Sequence, residues 1–522
     1  MSHESLTPRD RRAVLRVMCL ALMMVVSAVA SLNVALPEIA RDTGASQTDL
    51  QWIVDAYALA FAALLLPAGA LGDRFGRKPV LLAGLATFGG ASVLAMFADS
   101  AGQLVALRAV MGVAAAFVMP DTLTVITTVF PPEERGKAVG TWVGVAAGGA
   151  VLGLLTSGLL LEWLSWPAIF GLNVVLAALA LAGTLAVVPA TRELRPPRLD
   201  PVGTLLSVTG LFALVFGVIE GPERGWGDTL TVTGLVTGVV ALVAFVLWEL
   251  RVDQPMLDPR LFRNRSLSAG SLTVMVQFFA AFGLFFVVIQ YLQFVVGRSP
   301  LGTAVALLPL PMVMIPLARN APRIARRVGF RRLAPLGLAL TATGLCVLAQ
   351  VGTDLSYGHL ALGLVVFAAG MALAGTPSTT AITESLPASK QGVASAVNDT
   401  ARELGSAFGI AILGSVLNQQ YRDGMAEAVQ GLPSAVAEGA QGSIAFTQSA
   451  QVARLGSVGE HLVSAAEQAF VDGISGALLL AAGIVAVTAV LVAVLAPGSE
   501  RRGAAAAGRA DTPSEDREPV AL

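Results

Sequence analysis

Three ionisable side chains fall inside stretches that are otherwise apolar: Asp55, Arg108 and Asp121. Such groups are costly at membrane depth, and they mark ion or substrate pathways. Asp55 follows Gln51 by four residues, about 6 Å along a helix rising 1.5 Å per residue. Arg108 follows Gln103 by five, about 7.5 Å in from the same side. Similar depth lets the two form an ion pair, or a water-linked pair, if their helices face each other. A carboxylate beside a movable arginine can take a proton in one conformation and release it in another. The competing reading puts Asp55 in the wet interface and lets Arg108 snorkel outward. Asp121 follows Pro120 deeper in the same stretch as Arg108, near its far end.

Apolar helices must hold these groups, and the composition supplies them. Of 522 residues, 55% are hydrophobic and 13% charged, against about 25% charged in soluble domains. So little charge cannot cover a globular surface of this size, and the solvent must be largely lipid. The formal net charge of −1 gives no footing for a nucleic-acid partner. Cys19 and Cys346 lie in apolar runs and read as small hydrophobes. His3, His359 and His461 are scattered, and no P-loop or metal-ligand cluster is present in the sequence. No enzyme chemistry and no cofactor are expected, which leaves an ion gradient to drive any transport. The basic Arg9–Arg16 segment followed by an apolar run from Val17 reads as an uncleaved first span.

A lipid-crossing helix needs about 20 mostly apolar residues. Fourteen stretches qualify, near 14–36, 51–71, 79–98, 104–129, 137–160, 165–188, 200–219, 229–249, 267–290, 302–318, 333–351, 357–380, 397–417 and 472–496. With the N-terminus in the cytoplasm, 28 of the 34 Lys and Arg residues fall on the inner side. The outer side keeps Arg41, Arg224, Arg298, Arg422 and Arg454. This asymmetry fixes the orientation and supports the span count. A basic Gly-containing loop after span 2 recurs after span 10 as Ala325–Arg332. The expected organisation is a cytoplasmic N-terminus (1–13), a six-helix bundle (14–188), and a linker with two inserted helices (189–266). A second six-helix bundle (267–496) follows, with a long outer loop at 418–471. A disordered cytoplasmic tail ends the chain (497–522). Within the outer loop, short amphipathic helices are expected around Met425–Val436 and His461–Phe470.

The string GALGDRFGRK, with Gly69, Asp73, Arg74, Gly76, Arg77 and Lys78, fits the pattern G-x-L-x-D-R-x-G-R-K. Leu104–Gly112 around Arg108, Asn33–Pro37, Gln51–Tyr57, Trp166–Asn173, Gln290–Gln293 and Gly392–Gly409 supply further landmarks. Together they resemble the fourteen-helix drug:proton antiporters of the major facilitator superfamily, QacA/EmrB-like multidrug efflux transporters, over roughly Ala13 to Leu495. The resemblance implies an all-α polytopic membrane protein with two six-helix bundles and two inserted helices. It also implies that the loop at Gly69–Lys78 latches the two halves when the carrier faces outward. Many members carry an Asp in span 1; alignment on Asn33–Pro37 puts Ala28 there. Asp55 is then the substitute proton carrier, or the coupling differs or is lost. In span 5, Gly140, Gly149, Gly153 and Gly158 fit the spacing of the antiporter motif, with Leu154 for its proline and Ser157 for a glycine. Small residues so spaced also serve ordinary close packing.

A pocket for a flat or cationic lipophile could draw on Asn33, Gln277 and Gln290. Phe278, Phe282 and Phe286 share one helix face and could stack on such a ligand. The same phenylalanines could instead face lipid. The leading expectation is proton-coupled export of lipophilic drugs or antibiotics from a bacterial cytoplasmic membrane. The transporter would work as a monomer, with a small substrate and membrane lipid as its partners. A carrier of one metabolite or natural product, and a sensor that no longer transports, are the alternatives.

Overall fold

The computed structural model describes residues 7–190, 199–354, 356–386 and 391–497. The expected tail beyond 497 and most of the basic linker lie outside the described residues. The first bundle comprises α1 (Pro8–Thr43), α2 (Gln47–Phe75), α3 (Arg77–Ala95), α4 (Ala101–Val129), α5 (Pro132–Trp163) and α6 (Pro167–Val187). Then come α7 (Pro201–Arg224) and α8 (Thr229–Glu249). The remainder is α9 (Arg265–Gln290), α10 (Pro300–Ala306), α11 (Pro309–Val328), α12 (Phe330–Leu348), α13 (Tyr357–Glu384), α14 (Gln391–Met425), α15 (Ser434–Gly442), α16 (Ile444–Thr447), α17 (Ala450–Ala453) and α18 (Ser457–Leu495). A π-helical turn at Tyr291–Val295 extends α9.

Helix starts are written locally. Thr7 with Asp10, and Ser46 with Asp49, form capping boxes at α1 and α2. Asp200, Asp228 and Asn264 cap α7, α8 and α9. All fourteen expected stretches fall on these helices, one of them divided between α10 and α11. Among the described residues, twelve helical segments are long and apolar enough to cross a membrane. Of α5, only Gly148–Trp163 counts as a shorter apolar helix. α14 carries Asp399, Arg402 and Glu403 within its length.

The packing repeats. α1 lies against α5 and α6, as α9 lies against α14 and α18; α3 lies against α4 and α6, as α12 lies against α13 and α18. The two basic loops match in backbone as well. Gly76 (φ 101°, ψ 136°) joins α2 to α3, and Gly329 (φ 85°, ψ 147°) joins α11 to α12. Both sit at positive φ, which favours glycine. Lys78 Nζ donates to the Leu185 carbonyl (3.1 Å) in the last turn of α6, and Arg331 Nε donates to the Ala493 carbonyl (3.3 Å) in the last turn of α18. A cation at a helix C-terminus satisfies orphan carbonyls and opposes the helix dipole. The faint sequence repeat is therefore a structural one, two residues past each glycine.

The outer loop departs from expectation. Asn418–Met425 continues α14, and α15 begins only at Ser434. His461–Phe470 is not a separate helix but part of the 39-residue α18. Its apolar face, with Leu462, Ala466, Ala469 and Phe470 buried, runs on without a break into the membrane stretch.

Candidate functional site

Arg108 is 1% exposed in the middle of the first bundle. Its Nε donates to the Ile53 carbonyl (3.1 Å), and its guanidinium lies 4.2 Å from the centroid of the Tyr57 ring. Gly112, one turn further along α4, makes this possible. A methyl there would collide with the Tyr57 carbonyl oxygen. The missing side chain lets α2 approach until its backbone and an aromatic face both receive Arg108. Lipid-facing snorkelling is thereby excluded for Arg108.

Asp55 is 0% exposed, and neither carboxylate oxygen has a hydrogen-bond partner. The expected ion pair with Arg108 is not formed. Arg108 meets Ile53 and Tyr57, which bracket Asp55 along α2, so the depths match but the faces differ. Ile53 and Tyr57 are a turn apart and face α4. Asp55 stands two residues from each, about 200° around the helix at 3.6 residues per turn. It shares a face instead with Gln51, whose side chain meets Gly414 and Ser415 of α14. The wet-interface alternative for Asp55 fails too, since the residue is fully buried.

Asp121 belongs to a different place. Its carboxylate packs against Gly72, where a methyl would push it aside, and lies within electrostatic reach of Arg77 and Asp73. Arg77 donates to Asp73 Oδ1 (3.0 Å) and Thr128 Oγ1 (2.8 Å). Gly69 lies against Pro120, and Arg74 lies over Phe75. The loop's bonds to Asp73, Thr128 and Leu185 stay within the first six helices, so Asp121 reads as a support of the loop rather than a member of the Asp55 site.

Two of the α5 glycines face α1: a Cβ at Gly149 would lie 3.4 Å from Met23, and one at Gly153 would lie 2.9 Å from Ser27. Gly158 faces α10, across to the second bundle, where an added Cβ would lie 3.0 Å from Pro300 O and 3.1 Å from Ala304 Cβ. Gly140 faces open space. Ser157 is not a defect of the motif, because its Oγ donates to the Ser31 carbonyl (2.9 Å).

The pocket candidates divide. Gln277 is tied to the Met371 carbonyl (3.1 Å), and Gln290 to Phe286 O (2.9 Å) with its own Oε1 unpartnered. Asn33 donates to Val29 O and leaves Oδ1 unpartnered. Phe278 and Phe282 are half-buried and stacked, with centroids 5.9 Å apart. Phe286 is wholly buried in the main core, so the three do not form one lipid-facing stripe.

Three residues escaped the sequence reading. Arg402, counted there with the inner-side cations, lies inside α14, with its guanidinium 4.6 Å from the Phe278 ring centroid and 3.9 Å from Asp399. Glu403 follows it, within electrostatic reach of Tyr57. Ionisable residues at spacings of three and four inside a stretch already marked as a span were the available signal.

At the end where α1 stops and α2 starts, the two bundles touch through polar contacts. Gln293 Nε2, in the π turn, donates to Val34 O (2.9 Å), and Asn418 Nδ2 donates to Thr48 Oγ1 (3.0 Å). Gln448, next to α16, donates to Phe294 O (2.7 Å) and accepts from Arg41 (3.3 Å).

The family model described as Major Facilitator Superfamily matches residues 18–410. The chain belongs to that superfamily. It is similar to the puromycin resistance protein pur8 of Streptomyces alboniger, at 39% identity over 74% of this chain and 77% of that one. It is also similar to the multidrug efflux pump LfrA of Mycolicibacterium smegmatis, at 33% identity over 94% of this chain and 97% of that one. Among solved structures, a bacterial homologue of the human lysosomal transporter Spinster shares the fold, with a TM-score of 0.65 at 19% identity over 94% of this chain and 98% of that one. This major facilitator protein is a multi-pass membrane transporter and not an enzyme. Its superfamily loop, buried arginine and small-residue helix crossings occupy the places described above.

Proposed function

We propose that this transporter exports small lipophilic, cation-bearing antibiotics or drugs across the bacterial cytoplasmic membrane in exchange for protons, by alternating access. Relatives named for puromycin resistance and multidrug efflux support export. The observation that carries proton exchange is Asp55, a fully buried carboxylate with no partner. An ionised carboxylate so placed costs several kcal/mol, and a bound proton or a cationic substrate removes that cost. Proton and substrate thus compete for one charge, which is the requirement for antiport. Arg108 is held on the other face of α2 and keeps that helix in place. Phe278, Phe282 and Arg402, with Asp399 and Glu403, form the wall of the substrate path on the second bundle. The polar contacts at the α1–α2 end close the outer gate, so this conformation opens toward the cytoplasm. The excess of Lys and Arg on one side supports placing the start of α1 and the end of α18 in the cytoplasm, and the monomer is the working unit.

The test is Asp55→Asn in an efflux-deficient host, with dye efflux followed with and without a protonophore. Loss of gradient-driven efflux at normal membrane abundance is expected. Undiminished, protonophore-sensitive efflux in that variant would sink the coupling role. A second reading is favoured by the relative named for one antibiotic: a narrow exporter of a single natural product. A susceptibility panel separates the two, because resistance confined to one compound selects the narrow carrier.

A further inference from the structure

The inserted helices take no part in either bundle, yet α7 touches both. It lies against α2 and α14, whereas α8 packs along α7. A buried cluster joins Ala58, Leu59 and Ala63 of α2, Val215 and Ile219 of α7, and Ala407 and Ala411 of α14. At the outer end of this seam the contacts become polar and specific. Trp52 Nε1, on α2, donates to Glu220 Oε1 (2.9 Å), and the Trp52 ring lies 6.1 Å from that of Phe216. Arg224 Nε donates to Glu220 Oε2 (2.6 Å), so both oxygens of this buried carboxylate are engaged. One turn or less away, Ser415 Oγ, on α14, donates to the Val218 carbonyl (2.6 Å). Within three residues α7 therefore holds the first bundle by a side chain and the second by its backbone.

We infer that α7 is the outer clasp of the transporter, with Glu220, Trp52 and Ser415 as positioning residues that bias it toward the outer-closed state. The inference rests on the alternating-access reading above. When the outer ends of α2 and α14 separate, α7 can follow only one of them. The bond to Trp52 or the bond to Ser415 must then break. Either loss gives up a hydrogen bond that the closed state makes in a buried seam, so the clasp weights the equilibrium against opening. Removing a donor relieves that weight.

The experiment uses the full chain with Cys19→Ala and Cys346→Ala, and one reporter at a time. Thr48→Cys reports the outer gate, where Thr48 is buried and accepts from Asn418; the thiol keeps only a weak acceptor there, so every rate is compared with the parent carrying the same cysteine. Gly140→Cys reports the opposite end, where that position faces open space. A membrane-impermeant maleimide is applied to intact cells for the first and to inverted vesicles for the second. Trp52→Phe, which removes a hydrogen bond to a charged group, should raise the labelling rate at Thr48→Cys roughly tenfold or more, and Ser415→Ala, which removes a neutral one, roughly three- to tenfold. Labelling at Gly140→Cys should fall in the same variants. Unchanged rates in both variants overturn the clasp, and so does a rise at both reporters, which marks general loosening. The readout needs neither drug nor proton gradient. A failed clasp is thus distinct from a failed exporter, which Asp55→Asn and the efflux assay report.

Discussion

Gly112→Ala is the sharpest test of how the arginine site is built. A methyl at this position would collide with the Tyr57 carbonyl and sit 3.0 Å from Ala60 Cβ. The first of these is helix backbone, so no side-chain rotation relieves the clash, and α2 must move away from α4. A displacement of about 1 Å takes the Arg108–Ile53 bond from 3.1 Å past the distance at which it counts as a hydrogen bond. It also lifts the guanidinium off the Tyr57 ring. Overpacking contributes about 1–3 kcal/mol, and the lost bond from a buried charge about 1.5–3 kcal/mol. The combined destabilisation is about 2–5 kcal/mol, since the two overlap. Gly90→Ala is the control, because that glycine on α3 has open space beside it; there alanine should be neutral or mildly stabilising. Melting of the detergent-purified protein, followed by tryptophan fluorescence, and dye efflux in cells measure both. Equal melting temperatures for Gly112→Ala and Gly90→Ala would refute the close-approach account of Arg108.

Further outcomes follow from other contacts. Lys78→Met and Arg331→Met should each cost about 0.3–1 kcal/mol, the usual worth of a cation at a helix end, and by similar amounts in the same melting assay; a large inequality would undo the structural repeat. Ser157→Gly, which restores the motif residue, should lose about 1 kcal/mol, because the bond to Ser31 O goes with it; a gain in stability contradicts this. Arg402→Ala should lower efflux while Arg402→Lys keeps part of it, and a titration of dye concentration will show whether apparent affinity or maximal rate has changed. No effect of Arg402→Ala removes the α14 charges from the substrate path.

The sequence carried the fold because its strongest signals were local. Runs of apolar residues, capping residues such as Ser46 and Asp49, and the string from Gly69 to Lys78 each depend on neighbours in the chain. Arg108 could be placed at the right depth by counting residues. Its partner could not, because depth says nothing about rotation, and two residues separate Asp55 from the face that Tyr57 presents. That Asp121 lies by the inner loop and not beside Asp55 was illegible for a related reason: its neighbour Gly72 is distant in sequence and bears no side chain. Arg402 sits near the start of the 397–417 stretch, where a span boundary uncertain by a turn leaves a cation on the inner side or within the helix. The clasp on α7 was illegible, because Trp52 and Glu220 are joined only when a third helix lies in the seam.

Three of the contacts at the outer end share a chemical asymmetry, whereas Asn418–Thr48, Arg41–Gln448 and Trp52–Glu220 join side chain to side chain. Gln293, Ser415 and Gln448 donate from side chains, while Val34, Val218 and Phe294 accept through backbone carbonyls. A carbonyl is supplied by any amino acid, so the accepting positions can drift in sequence without altering the bond. The donating positions cannot, because only a few side chains reach with an N–H or O–H. Saturation mutagenesis of the gate should therefore give a lopsided map, intolerant on one partner of each pair and permissive on the other. Relatives could retune how readily the gate parts by exchanging three residues, leaving the surfaces they grip untouched.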